Sequence, residues 1–350
     1  MTPIPHGSSV GILGAGQLGR MLAMAAARLG YVPKIYAPER GPAGQVAEQT
    51  VGPWDGEGLD AFARACAVVT YEAETVPLEA IDRVGAVTSV RPGRRAQDIA
   101  RDRLKEKDFL TGLGLRTARY RGVKDAEALA HLVREIGPDT ILKTRRMGYD
   151  GRGQVRLRDG DDAARAIRDA GNGPLILEAV VEFAFEASVI VARAVDGSVA
   201  CYDVAENRHE QGILRASDVP SRMSAMQAAA AQDIAGRIVD ALGYVGVMGV
   251  ELFVTDDAIL VNEIAPRVHN SGHWTQAVCA VDQFERHIRA IAGLPLGDGT
   301  RRNAVRMVNL IGPEGMAALG GHLSEVGAQV HLYGKDVRAG RKLGHVNIVS

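Results

Sequence analysis

Val250-Glu251-Leu252-Phe253-Val254-Thr255-Asp256-Asp257-Ala258-Ile259-Leu260-Val261-Asn262-Glu263 is the stretch on which the reading of this chain turns. Two apolar runs flank an Asp-Asp pair, the signature of a β-hairpin. With a three-residue loop, Asp256 to Ala258, Glu251 and Glu263 fall opposite one another on one face. A two-residue turn would set Glu251 opposite Asn262 instead. Like charges directly opposed in a sheet are destabilising unless a cation lies between them. Oxygen ligands with no sulfur and no paired histidine favour Mg²⁺, or Mn²⁺, shared with a nucleotide phosphate. The second strand passes at once into Ile264-Ala265-Pro266-Arg267-Val268-His269-Asn270-Ser271-Gly272-His273-Trp274-Thr275-Gln276, with an arginine, two histidines and two amides. Pro266 and Trp274 point to a fixed path for this run rather than a solvated tail.

The chain around this hairpin has 350 residues, enough for two or three domains. A hydrophobic content of 46% and a charged content of 24% are those of an ordinary globular protein. The net charge of −1 argues against nucleic acid or an anionic membrane as the main partner, and aromatics at 5% are too few for base-stacking platforms. Cys66, Cys201 and Cys279 are widely spaced and odd in number, which fits core thiols in a reducing compartment better than disulfides or zinc. No leader-like segment opens the sequence, and no run reaches the roughly 18 apolar residues of a membrane span. A cytoplasmic protein is expected.

In chain order, the strand Val10-Gly11-Ile12-Leu13 runs into Gly14-Ala15-Gly16-Gln17-Leu18-Gly19, an alanine-rich helix follows, and Glu39 lies beyond a second strand. This is the dinucleotide fingerprint in its strand–turn–helix setting, and it predicts a Rossmann-like unit with an anion at the helix start. A third strand, Ala67 to Tyr71, ends in Glu72 and Glu74, which face a ligand or simply water. The charged run Arg101 to Lys107 reads as a helix start with a solvated face. Thr140-Ile141-Leu142-Lys143 is a strand leading to the cationic, glycine-rich loop before Val155, whose free amides suit phosphate oxygens. Glu178, inside the strand Pro174 to Val181, and Glu186 beyond it are costly in apolar strands unless they bind something. Ser224 to Leu242 reads as one long helix. A phosphate-cradling loop, a strand lysine and a carboxylate pair together suggest the use of ATP.

These residues resemble the ATP-grasp N5-carboxyaminoimidazole ribonucleotide synthetases of bacterial and fungal purine biosynthesis, over essentially the whole chain. The likeness rests on Gly14 to Met21, Gly148 to Gln154, Asn207-Arg208-His209 with Gly212-Ile213-Leu214, Asn262 to Gln276, Tyr333-Gly334-Lys335, and Gly340 to His345. It implies an α/β protein with α+β elements: a Rossmann-like domain over 1–104, an ATP-grasp domain over 105–296 divided near 181, and a small C-terminal domain over 297–350 packed on it. The reaction implied uses ATP and bicarbonate to form carboxyphosphate, and carboxyphosphate, or CO₂ released from it, carboxylates the exocyclic amine of 5-aminoimidazole ribonucleotide (AIR). By the same resemblance Arg103, Lys143, Gly148-Tyr149-Asp150-Gly151-Arg152-Gly153-Gln154, Glu178-Ala179-Val180-Val181, Glu186, His209, Asn262 and Glu263 would hold ATP. Lys143 and the loop would take the phosphates, Glu178 to Val181 the adenine edge, and Glu186 the ribose. Glu251 and Glu263 would ligate Mg²⁺. AIR and bicarbonate would meet Gly16-Gln17-Leu18, Glu74, Tyr149, Asp150, Arg152, Arg267, His269, Asn270, Lys335, Arg341 and Lys342. Of these, Arg267, His269 and Lys335 would be catalytic, with Arg267 stabilising the anionic intermediate. The glycine turn would then take the AIR phosphate rather than a dinucleotide, Arg103 would leave the solvated face for ATP, and a homodimer is implied. The rival readings are another ATP-grasp enzyme such as a formate-using transformylase, an NAD-linked oxidoreductase resting on the first thirty-nine residues, and a non-catalytic nucleotide sensor.

Overall fold

The computed structural model describes residues 2–137, 139–146, 153–171 and 173–350. Gly148, Tyr149, Asp150, Gly151 and Arg152, expected at ATP and at the acceptor, lie outside the described residues.

Short strands make the first sheet, buried at its centre and exposed at its edges: β1 (Ser9–Leu13), β2 (Val32–Ala37), β3 (Glu48–Val51), β4 (Val68–Tyr71) and β5 (Ser89–Val90). All are parallel, in the order β3-β2-β1-β4-β5, with α1 (Gln17–Arg28), α2 (Glu57–Arg64), α3 (Leu78–Gly85) and α4 (Arg94–Ala100) between and beyond them. The strand order reverses between β1 and β4, so the glycine turn and the Glu72–Glu74 segment meet at the switch point where such sheets bind ligands. α5 (Arg103–Gly112) follows, capped by the Asp102 carboxylate, which accepts from the Leu104 and Lys105 amides.

The second sheet is antiparallel, in the order β6-β9-β7-β8, from β6 (Tyr120–Val123), β7 (Asp139–Thr144), β8 (Gln154–Arg158) and β9 (Leu175–Ala179). Leu129 and Val133 of α6 (Ala126–Ile136) and Ala166 of α7 (Ala163–Ala170) close its core against Leu142, Leu157 and Leu177.

The third sheet has nine strands. Its strands are β10 (Phe185–Arg193), β11 (Val199–Cys201), β12 (Ala205–Glu210), β13 (Ile213–Val219), β14 (Gly246–Val254), β15 (Ile259–Ala265), β16 (Val305–Ile311), β17 (Ala328–Leu332) and β18 (Lys342–Val349). With it go α8 (Ala225–Leu242), α9 (Thr275–Val278), α10 (Gln283–Ala292) and α11 (Gly312–Leu323). α8 begins with a Ser224–Gln227 capping box and ends at Gly243 in the left-handed conformation, so the expected helix is present with its boundaries explained. Residues after 297 do not form a separate layer: β16 pairs with β13, and β18 with β16. One core joins Leu22 and Ala26 of α1 to Trp274, Phe284, Ile288 and Met307, tying the first sheet to the third.

The hairpin of β14 and β15 combines both registers expected from the sequence. Its turn is the two-residue kind, closed by the Thr255 N–H donating to the Ala258 carbonyl at 2.9 Å. A straight ladder would then put Glu251 opposite Asn262. Instead the register shifts: Leu252 faces Val261, while Glu251 faces Glu263. Asn262 is the extra residue of a β-bulge, and the bulge sets the two carboxylates opposite one another.

Candidate active site

The bulged hairpin carries one half of the site. Burial and the facing Glu263 push the Glu251 carboxyl up to about 7. Its Oε1 lies 3.4 Å from His269 Nε2. Burial would raise Glu263 too, but Arg103, whose Nη1 donates to Glu263 Oε2 at 3.0 Å, outweighs it and holds this acid low. Among the described residues no cluster of three or more metal-ligating side chains is present. The pair nevertheless fits a hard cation, being two oxygen donors driven together, provided phosphate oxygens or water complete the shell.

Lys143 closes β7 and donates to Glu178 Oε2 at 3.0 Å, and Lys107 Nζ lies 3.4 Å from the same oxygen. Burial would raise Glu178, yet Lys107, Lys143 and Arg103 together hold it below the usual carboxylate range. Its side chain is therefore neutralised from within. The Ala179 and Val180 amides donate to the Arg119 and Asp139 carbonyls. Beyond them Glu186 Oε2 lies 2.7 Å from His209 Nδ1, and a cavity of about 420 Å³ opens over this pair beside Phe183 and Phe185. Burial opposes a charge on His209, but Glu186 and Glu251 overcome it and raise its pKa.

The other half gathers at the switch point. Arg267 holds Glu74 with two parallel bonds, Nε to Oε2 and Nη2 to Oε1, each 2.9 Å, and donates to the Val268 carbonyl from Nη1. Burial works against its charge, while Glu74, Glu263 and Glu72 raise its pKa, so Arg267 lies in the fields of both halves. His269 is fixed by a chain of hydroxyls. Ser188 Oγ donates to Ser271 Oγ at 2.7 Å, and Ser271 Oγ lies 2.8 Å from His269 Nδ1. With Nδ1 thus an acceptor, Nε2 carries the proton and faces Glu251. Burial and Arg267 keep this imidazole neutral, its pKa well below the ordinary value. Gln283 clamps the His269 backbone, accepting from its N–H and donating to its carbonyl. Asn270 Nδ2 is buried with no acceptor among the described residues. From the C-terminal segment Lys335 donates to Gln17 Oε1, and burial and the adjacent Arg341 pull its pKa down to about 8. Arg341 reaches the Asp336 carbonyl at 3.4 Å, and Lys342 opens β18 beside it.

Two expectations need correction. The run Arg101 to Lys107 is not a solvated face, because Arg103, Glu106 and Lys107, spaced i, i+3 and i+4, form the inward face of α5. Lys107 is 1% exposed, and Glu106 accepts from the Ile264 amide at 2.7 Å. Burial and Glu263 push the Glu106 carboxyl up to about 8. That spacing was available in the sequence and was the missed signal. The glycine turn, second, does not offer an open anion site: Glu72 accepts from the Gly16 and Gly19 amides. Asp102, which pairs with Arg145 and Arg146 while capping α5, gave no signal beyond an ordinary cap.

A parallel nucleotide-type sheet, an antiparallel sheet bearing a lysine and a nine-stranded sheet bearing an opposed carboxylate pair define an ATP-grasp protein. The comparisons agree: residues 108–284 match the ATP-grasp domain, 8–101 the ribonucleotide synthetase preATP-grasp domain, and 305–350 the phosphoribosylaminoimidazole carboxylase C-terminal domain. The chain is 50% identical to the N5-carboxyaminoimidazole ribonucleotide synthase of Brucella melitensis, covering 99% of this chain and 97% of that one. A solved N5-carboxyaminoimidazole ribonucleotide synthetase with ADP superposes with a TM-score of 0.96 at 39% identity, covering 100% of this chain and 94% of that one. The Aspergillus clavatus enzyme in complex with ADP and 5-aminoimidazole ribonucleotide gives 0.92 at 32%, covering 99% and 94%. The chain belongs to the N5-carboxyaminoimidazole ribonucleotide synthase family, the ATP-grasp ligases that carboxylate 5-aminoimidazole ribonucleotide in purine biosynthesis.

Proposed function

We propose that the two halves of the site divide one reaction between them, with ATP and bicarbonate activated on the hairpin side and AIR held at the switch point. The observation that carries this is Arg267, anchored on Glu74 and raised in pKa by both Glu263 and Glu72. Arg103, Lys143, His209 and Gln154 would face the nucleotide, with Asn262 and Glu263 at its phosphates. The amides of Ala179 and Val180 being used, the adenine edge would fall to the Val181 amide and neighbouring carbonyls. Mg²⁺, or Mn²⁺, would be held by Glu251 and Glu263 and would neutralise phosphate charge.

In the reaction a bicarbonate oxygen attacks the γ-phosphorus, the bond to the bridging oxygen breaks, and ADP leaves. Carboxyphosphate, or CO₂ released from it, then meets the exocyclic amine of AIR. The carbon–oxygen bond to phosphate breaks with its electron pair leaving on phosphate, before or as the C–N bond forms, and the amine proton goes to that phosphate. Arg267 opposes the charge that develops on the carboxyl oxygens, where preorganised charge is worth most. His269, neutral with its proton on Nε2, serves as a hydrogen-bond donor rather than a base. Lys335, Arg341 and Lys342, beside Gln17 and Leu18, would take the AIR phosphate, and Asn270 would use its unmatched donor.

Among the described residues no helix is long and apolar enough to cross a membrane, which is compatible with the proposed cytoplasmic location, and a homodimer is proposed from the family. The test is phosphate release from ATP and Mg²⁺ with AIR and bicarbonate added or withheld. Release that requires both supports the reading. Release indifferent to both overturns it.

A further inference from the structure

The glycine turn that opens α1 is filled from within. Glu72, the first residue past β4, is 8% exposed and turns its carboxylate into the turn. Oε1 accepts from the Gly16 amide, and Oε2 from the Gly19 amide at 2.5 Å. All three glycines of the fingerprint make room for this side chain. A Cβ at Gly14 would lie 2.4 Å from Glu72 Cγ, one at Gly16 2.7 Å from Oε1, and one at Gly19 3.2 Å from Oε2. In a dinucleotide-binding sheet such glycines admit a pyrophosphate to the same helix start. Here the anion belongs to the chain. Its two donors flank Gln17 and Leu18 in sequence, so one carboxylate fixes the backbone on both sides of them. Gln17 in turn accepts from the Lys335 ammonium.

We propose that Glu72 is the resident anion of this turn and a positioning residue for the acceptor site. It fills the place of a nucleotide pyrophosphate and, by locking Gly16 and Gly19, holds Gln17 and Lys335 where the acceptor is bound. Glu72 thus explains why a glycine fingerprint is retained in a chain whose nucleotide is handled by two other sheets. The consequence for AIR rests on the proposed place of Lys335 in the acceptor site; the filling of the turn does not.

The test uses two variants that disturb the carboxylate differently. Glu72→Ala removes it, and Gly16→Ala keeps it but sets a Cβ 2.7 Å from Oε1. The first leaves the Gly16 and Gly19 amides without their acceptor and the second pushes the carboxylate away from them, so the AIR KM is expected to rise about tenfold or more while the ATP KM stays within about threefold. Acetate at about 0.1 M should raise the Tm of Glu72→Ala and lower its AIR KM, because a small carboxylate can bind in the vacated space and stabilise the folded state. The wild-type protein and Gly16→Ala should show neither response. A folded Glu72→Ala with no acetate-dependent rise in Tm overturns the resident anion. A normal AIR KM in both variants overturns the positioning role. If Glu72→Ala does not fold, Gly16→Ala decides the matter by the same AIR-to-ATP contrast. A Lys335→Met variant with unchanged AIR KM would instead remove Lys335 from the acceptor site and leave the acetate result standing.

Discussion

Arg267 grips Glu74 through two parallel bonds, a geometry that one ammonium group cannot reproduce. Arg267→Lys should therefore lower kcat by roughly a hundredfold or more while ATP affinity changes little, as expected for a group acting in the transition state. Steady-state kinetics with AIR and with ATP varied separately give kcat and both KM values, and a raised KM with kcat unchanged would place Arg267 outside the chemistry. Lys335 carries a pH signature. Its pKa is pulled down to about 8, so its charge is present below that pH and lost above it. The AIR KM should rise up to about tenfold per pH unit above 8, with the ATP KM flat over the same range. An AIR KM independent of pH there would count against a phosphate contact by this lysine.

α5 shows how one short element can serve both stability and site. Asp102 caps it and neutralises Arg145 and Arg146 at the end of β7. Asp102→Ala should lower unfolding free energy by about 2–4 kcal/mol, and Asp102→Asn by less because asparagine retains the cap. Urea unfolding of the two variants measures this, and equal losses would mean that the cap contributes nothing. Glu106 has the opposite character. Its folded pKa of about 8 lies above the unfolded value, so its contribution is favourable only at low pH and becomes a penalty as pH rises from about 4 to 8. Glu106→Gln keeps an oxygen for the Ile264 amide without the charge. It should match or exceed the wild-type stability at about pH 8, and a loss above about 1 kcal/mol would show that Glu106 is ionised in the folded protein.

Buried neutral histidines join the first sheet to the third and brace the third from within. His287 Nδ1 accepts from the Val247 amide at 3.0 Å, so Nε2 bears the proton and donates to Thr70 Oγ1, linking β14 to β4 through α10. His345 Nδ1 lies 2.7 Å from the Tyr333 hydroxyl, and its ring packs 4.6 Å from that of His273. Burial pushes His287 down to about 3 and His273 and His345 well below the ordinary value. Each therefore binds its proton more readily when unfolded. Stability is full above about pH 6.5 and should fall below it by up to about 1.4 kcal/mol per pH unit per histidine. Urea unfolding between about pH 5 and 7 reads that slope, and His345→Gln should reduce it. A slope unchanged by the substitution would mean that His345 titrates normally in the fold.

Local patterns carry the hairpin, the glycine turn after β1, the long helix to Leu242 and most residues of the two site halves, because alternation, helix caps and glycine spacing are properties of neighbours along the chain. Once the hairpin and the run to Gln276 are read together, the sequence also implies the family. The partners of the site residues were not legible. Glu74 lies 193 positions from Arg267, Glu178 lies 35 from Lys143, and Glu72 lies 56 from Gly16. The first closes only when two sheets meet, and the other two when distant strands pair within one sheet. The bulge at Asn262 is the smallest case: the turn chemistry reads correctly as two residues or three, yet which acid faces which depends on one unpaired residue in the middle of β15. The types of group in the site are thus set locally, while burial and long-range pairing decide which of them are charged, which are already neutralised, and that the glycine turn holds a carboxylate of its own.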